Sequence, residues 1–328
     1  MTDNSEHSFS PNLPVQNNPL FSWPLDIRAV LGWYRHAWDI PSELLLLLGL
    51  AGLTAFWLQP VLVTDGTISL SALLWMYLRN VIYLCLVAGG LHLLFYRWRT
   101  QGTAAKYETA FLHRPSNRFL FGNQVFDNMF FSLVSGVTIW TGYEVLLLWA
   151  QANNPALYLT FSAAPVWFVA LFVLIPIFES AHFYLVHRLL HMKPFYDRFH
   201  ALHHRNVNTG PWSGISMHPV EHLIYFSSVL VHLVIPSHPI HIFFHLYLLT
   251  LSPAAGHCGF DNLILAGKQR LALGHYHHHL HHRHFDCNYG SSEMPWDVWF
   301  GSFHDGTKSG QASLRRHLKP SADKSRSS

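Results

Sequence analysis

Long apolar stretches alternate with short polar ones along the N-terminal half of the chain. Runs at about 44–63, 68–96, 129–151 and 160–186 approach or exceed the ~20 predominantly apolar residues that a helix needs to cross a bilayer. Two shorter runs, 222–235 and 240–255, flank Pro236-Ser237-His238-Pro239 and stand near the lower length limit. They predict a tight hairpin that only partly penetrates. The predicted fold is therefore all-α: a polytopic bundle of four transmembrane helices plus a short hairpin, with a helical, histidine-rich cap on one side. Residues 1–24, rich in Asn, Pro and Ser, and residues 305–328, rich in Ser, Lys and Arg, read as disordered tails. Between them, 25–159 forms an N-terminal membrane region and 160–304 carries the chemistry. The first tail has neither the basic start nor the apolar stretch of a cleavable signal peptide, so insertion rests on the internal runs.

Composition agrees with that pattern. Only 12% of the 328 residues are charged, about half the ~25% of a soluble globular protein, and mean hydropathy is +0.17, which excludes an ordinary soluble enzyme. A net charge of +3 without a basic stripe excludes nucleic acid as a partner. Cys85, Cys258 and Cys287 stand at unrelated spacings and form neither a disulfide framework nor a zinc ribbon, which points to a reducing compartment. Of the 21 Lys and Arg residues, 20 lie outside the four runs and none lies in 64–67 or 152–159. The positive-inside rule then assigns both termini and the histidine-rich segments to the cytoplasm. Arg79 and Glu144 fall inside runs, where an isolated charge is costly, and are expected to pair structurally.

Histidine changes the picture. Of 26 histidines, 20 fall between His182 and His284, less than a third of the chain, and that density implies metal. His187-Arg188-Leu189-Leu190-His191 sets two imidazoles on one helical face at the end of the fourth run, within reach of one metal. His200-Ala201-Leu202-His203-His204 repeats the arrangement at i, i+3 and i+4, and His278-His279-Leu280-His281-His282 repeats it again. An equally valid triplet is His275-x-x-His278-His279, so spacing alone leaves that register open. Glu179-Ser180-Ala181-His182 is an unpaired Glu-x-x-His; His182 points about 140° from His187 at ~100° per residue. His182 reads as a hydrogen-bonded helix residue and Glu179 as an acceptor that orients a ligand imidazole. Eight clustered histidines exceed the needs of one tetrahedral zinc, so two metals are the economical reading. His92, His232, His241 and His245 lie in apolar runs and read as core histidines; no helix-facing pair marks them as haem ligands. Cys258 and Cys287 read as small buried residues.

The series HRLLH, HALHH and HHLHH resembles the fatty acid hydroxylase and sterol desaturase superfamily of integral-membrane di-iron oxygenases, over roughly residues 160–304. The resemblance extends to Phe183-Tyr184, to the segment Pro211 to His222 (PWSGISMHPVEH), to Gly256-His257-Cys258-Gly259-Phe260, and to Asn288-Tyr289-Gly290 followed by Trp296-Asp297 and Phe300-Gly301. It implies ten metal ligands: His187, His191, His200, His203, His204, His218, His257, His278, His281 and His282. The register follows from the family, whose last His-His pair stands five residues before Asn-Tyr; His275, His277, His279 and His284 are then not ligands. His222, one turn beyond His218, is an alternative to it, and Asp261 stands where some members carry a further histidine. Glu179, Glu221, His222, Asp261 and Asn288 are expected to support the ligands. The wording of PWSGISMHPVEH looks like the bacterial branch, which implies a bacterial inner membrane.

By this resemblance the protein is an oxygenase with two iron ions that takes O2 and two electrons and hydroxylates a C–H bond of a membrane lipid: a fatty acyl chain, a polar aminolipid such as an ornithine lipid, or a sterol. Desaturation is the alternative within the same family; a zinc-dependent lipid hydrolase and a divalent-metal transporter are the alternatives outside it. The chain has no Gly-rich dinucleotide fingerprint and no haem or iron–sulfur module, so a ferredoxin- or cytochrome-type donor with its reductase is the expected electron source.

Overall fold

The computed structural model describes residues 9–36, 39–64, 67–112 and 116–318. An amphipathic helix α1 (Ile27–His36) precedes four helices long and apolar enough to cross a membrane: α2 (Pro41–Leu58), α3 (Leu70–Arg97), α4 (Gln124–Asn153) and α5 (Pro165–Leu190). α2 and α5 leave most of their residues unburied, the surface of a helix that faces lipid. The chain is a polytopic helical membrane protein.

The hairpin departs from expectation. It is made of α6 (Pro219–Phe226), a 3-10 stretch Ser227–Leu233 and α7 (Pro239–Thr250). Its tip does not stop part-way: Ser237 exchanges backbone hydrogen bonds with Leu157 and Leu159, in the loop joining α4 to α5 at the end of the bundle far from the histidines. The 3-10 stretch lengthens the first arm by about 3.5 Å over an α-helix of the same residues. Eight residues at ~1.5 Å and seven at ~2.0 Å rise make about 26 Å, close to the ~30 Å of a hydrocarbon core. Ten of the twelve residues of α7 are buried, so it is the core helix of the bundle, against α2, α4 and α5.

Polar groups in this core pair with one another. Arg79 forms an ion pair with Glu144, and both are buried. Arg79 also donates to Gln59 Oε1 (3.0 Å), while Asn80 donates to Glu144 Oε2 (2.9 Å) and Thr141 Oγ1 (3.1 Å). His232 and His245 do face one another, but their rings are bonded directly (Nε2 to Nδ1, 3.2 Å) and continue to Ser237 and Ser228, which leaves no room for a haem. His241 donates to Phe168 O.

The cap is not purely helical. Between His257 and His275 runs a β-hairpin, β1 (Asn262–Leu265) with β2 (Lys268–Ala272), because Ala266-Gly267, both at positive φ, form the two-residue turn that suits the twist of paired strands. A shorter two-stranded pair, Val63–Thr64 with Thr67–Ile68, joins α2 to α3. Helix α8 (Tyr276–His284) follows β2, and α9 (Lys308–Leu318) lies in the expected C-terminal tail, of which 319–328 are outside the described residues. Of the expected N-terminal tail, residues 9–24 run along the cap: Phe9 N–H donates to Lys106 O, Val15 N–H to Asp305 O, and the buried Asn18 donates to Glu293 O. Residues 1–8 lie outside the described residues.

Candidate metal centre

Four elements deliver nine imidazoles to one point at the cap end of α5. The end of α5 brings His187 and His191, the helical stretch 196–204 brings His200, His203 and His204, the turn after α7 brings His257, and α8 brings His278, His281 and His282. Among the described residues they form two groups whose ligand atoms lie within 4.8 Å of one another: His187, His191, His200, His204 and His281, and beside them His203, His257, His278 and His282. Helical geometry decides the partition. Pairs four residues apart (187/191, 200/204, 278/282) share a face and a group, whereas adjacent pairs (203/204, 281/282) diverge by about 100° and feed both. Each triplet therefore straddles two centres, where the spacing suggested a single face. The groups abut, with the rings of His204 and His282 4.8 Å apart.

The Nε2 atoms converge. In the first group His204 Nε2 stands 3.0 Å from those of His191 and His281, and His191 stands 3.2 Å from His200; in the second, those of His257, His278 and His282 are mutually 3.1 Å apart. Two nitrogens bound at ~2.1 Å to one ion stand about 3.0 Å apart at a right angle and about 3.4 Å apart at the tetrahedral angle. The far sides of four of the rings fix where their protons sit. His187 Nδ1 donates to Tyr289 O (2.6 Å), His281 to Cys287 O (2.6 Å), His257 to Pro253 O (2.9 Å) and His203 to Ser216 O (3.3 Å). With the proton held at Nδ1, each of these Nε2 atoms brings only a lone pair. So many buried imidazole nitrogens gathered at these distances form a set that can hold a cation, and an all-imidazole set suits iron, zinc, copper or nickel. The residues fit metal. Burial favours neutral, ligand-competent rings: it pulls His200 down to about 3 and His203 to about 4, and lowers His191, His204, His257, His278, His281 and His282 strongly.

The tenth expected ligand is not brought in. His218 caps α6, its Nδ1 accepting from Val220 N–H, because the extended residue before Pro219 turns its side chain back onto the helix start. His222 cannot replace it: its ring bonds Ser135 Oγ (3.0 Å) and Ile215 O (2.9 Å). Of the expected supporting residues, Glu221 bonds His200 Nδ1 through Oε1 (2.6 Å). Glu179 bonds no imidazole among the described residues and lines the cavity described below. Asp261 accepts from Tyr107 and Asn262, not from His257. Asn288, at positive φ, clamps the carbonyls of His277 and His304. His277 and His279 turn to Asp297 and Glu108, His284 stacks on His304, and His182 bonds Ser227. Cys258 and Cys287 are buried and donate to backbone carbonyls.

Sequence reasoning gave Asp297 no role. Its carboxylate accepts from Tyr289 N–H and Gly290 N–H, each at 2.8 Å, and from Ser302 Oγ at 2.7 Å. It thereby fixes the loop whose carbonyls orient His187 and His281. Gly214 has a comparable part in the second group: a Cβ there would lie 2.5 Å from Pro253, so only glycine lets the segments carrying the Ser216 and Pro253 carbonyls touch. The prior signal for Asp297 was its place in the Trp296-Asp297 pair that follows Asn-Tyr-Gly in the resemblance.

A cavity of about 430 Å³ opens on the metal site, with His187, His200, His203, His257 and His278 at its inner end. Its walls are largely apolar, from Pro41 and Leu44 of α2 and Phe172, Val173, Pro176 and Ile177 of α5.

Residues 172–302 match the fatty acid hydroxylase family model. Among curated proteins the chain is similar to a Delta(7)-sterol 5(6)-desaturase of Gibberella zeae (29% identical over 138 residues, 42% of each chain), to lathosterol oxidase of Homo sapiens (30% over 133, 38% of this chain and 42% of that one) and to methylsterol monooxygenase 1 of Gallus gallus (29% over 130, 38% and 43%). The matches span less than half the length of these relatives. They support the superfamily; being fungal, human and avian, they lend nothing to a bacterial branch. No solved structure matches the chain.

Proposed function

We propose that the protein is an O2-dependent, di-iron lipid hydroxylase of the bilayer in which it sits. The observation that carries this reading is the convergence of nine Nε2 atoms, in groups of five and four, on the inner end of an apolar cavity flanked by α2 and α5. Two iron ions held there would supply the reduction of O2 and the abstraction of hydrogen from an unactivated carbon. The chain's own residues do the rest. The carbonyls of Tyr289, Cys287, Pro253 and Ser216 hold four of the imidazoles, His187, His281, His257 and His203, in one tautomer, and Glu221 bonds His200 Nδ1. Phe172, Phe183 and Tyr225 wall the cavity, keep water from the reacting carbon and leave room for an acyl chain or a sterol body. The cap and both termini lie on the cytoplasmic side, where a ferredoxin- or cytochrome-type donor delivers electrons.

A second reading, desaturation, is favoured by one of the relatives, named as a desaturase acting on a sterol. Both outcomes begin with one hydrogen abstraction. Mass spectrometry of lipids from cells with and without the gene separates them: hydroxylation adds one oxygen atom, desaturation removes two hydrogens. Product formation that survives without O2, or purified active protein that holds zinc and no iron, would overturn the oxygenase reading in favour of a hydrolase.

A further inference from the structure

We propose that residues 20–35 lie in the membrane interface and wall the entrance through which bilayer lipid reaches the cavity. At ~100° per residue Ile27, Val30, Leu31 and Tyr34 share one face of α1, while Arg28 and Arg35 flank it. This face is unlike that of a helix meant for water. Ile27 and Leu31 are each 66% exposed, and Trp23, just before the helix, is 93% exposed. The patch continues onto the cap, where Phe21 packs edge-on against Trp299 (5.9 Å), itself exposed beside Phe300.

Lipid is the occupant the chain's connectivity calls for. α1 ends at His36 and α2 begins at Pro41, so the helix lies within about 18 Å of the start of a membrane span, at ~3.6 Å per residue. An apolar face flanked by arginines, held at that depth, matches acyl chains beneath anionic headgroups. The same segment closes the cavity: Leu20, Phe21 and Tyr34 line it opposite Pro41 of α2 and Val173 of α5. Asn18, buried, ties it down by donating to Tyr34 Oη and to Glu293 O, each at 3.1 Å. A lipid leaving the leaflet between α2 and α5 therefore passes under α1.

The entrance role rests on the lipid-oxidising reading; the placement of the helix does not. The test uses the full chain in liposomes on a Cys85→Ser background, since Cys85 is the exposed native cysteine while Cys258 and Cys287 are buried. A polarity-sensitive fluorophore at Trp23→Cys, Ile27→Cys or Leu31→Cys is expected to be quenched by lipids brominated high in the acyl chain and shielded from aqueous iodide. The same label at Arg28→Cys should show the weaker lipid and stronger iodide quenching of a headgroup position. Iodide quenching equal at all four positions would overturn the placement, and so would shielding that appears only at high protein-to-lipid ratio, which would mark contact with a second protein copy. For the entrance, Ile27→Asp with Leu31→Asp should raise KM for bilayer-borne lipid several-fold with kcat and metal content kept. An unchanged KM would overturn the entrance role. Absence of any turnover in the unaltered protein would count against the oxidation reading and leave the quenching result standing.

Discussion

Two buried polar regions of this protein are built on opposite principles. Around Arg79 and Glu144, donors meet acceptors: the guanidinium faces a carboxylate and the Gln59 amide oxygen, and the carboxylate receives Asn80 as well. In the cap, like meets like. Nε2 atoms of neighbouring imidazoles, two of them on rings whose Nδ1 protons are held by backbone carbonyls and one on a ring bonded to Glu221, converge on one another at 3.0–3.2 Å. The first region is complete within the chain. The second gathers like groups at the spacing a cation would accept. Burial alone does not separate a structural cluster from a reactive one; what separates them is whether the electrostatic signs already balance.

The strongest way to break this comparison is to remove one imidazole from each group. His281→Ala and His282→Ala are each expected to abolish turnover and lower metal content, because each deletes a converging Nε2. Metal analysis of the purified variants checks this, and full metal with full activity in either one would sink the two-group assignment.

The membrane cluster should respond in stability instead. Arg79→Leu strands a buried carboxylate and is expected to cost ~3–5 kcal/mol, whereas Arg79→Leu with Glu144→Leu recovers much of that loss. Thermal unfolding in detergent gives the numbers. A double variant no better than the singles would mean that the two side chains do not act as a pair.

Between these extremes stands Asp297, which touches no converging nitrogen yet holds the loop that orients His187 and His281. Asp297→Asn keeps the size but deprives one of the two backbone N–H groups of its acceptor. A loss of about 10–100-fold in metal retention or activity is expected. Chelator challenge followed by metal analysis measures it, and unchanged retention would reduce Asp297 to a loop anchor.

The smallest effect belongs to His218. As a helix cap its replacement by Ala should cost about 1 kcal/mol of stability and leave the metal content as it was. A loss of metal in His218→Ala would bring it back among the ligands.

The four spans were legible because a bilayer demands a length and a composition that any reader of hydropathy can see, and the charges at Arg79 and Glu144 were legible as a pair because neither could stand alone in that medium. The histidine clusters announced metal for a similar reason: imidazole at that density has few other uses. What spacing could not decide was which nitrogen meets which. The division of His203 from His204 and of His281 from His282, the exclusion of His218, and the role of Asp297 depend on where four separate elements meet and on which carbonyls lie behind each ring. The reach of the 222–250 hairpin likewise draws on a 3-10 stretch that hydropathy does not register. One-dimensional pattern reports the solvent each segment must face. Coordination depends on angles between side chains far apart in the chain, and those exist only once the helices have packed.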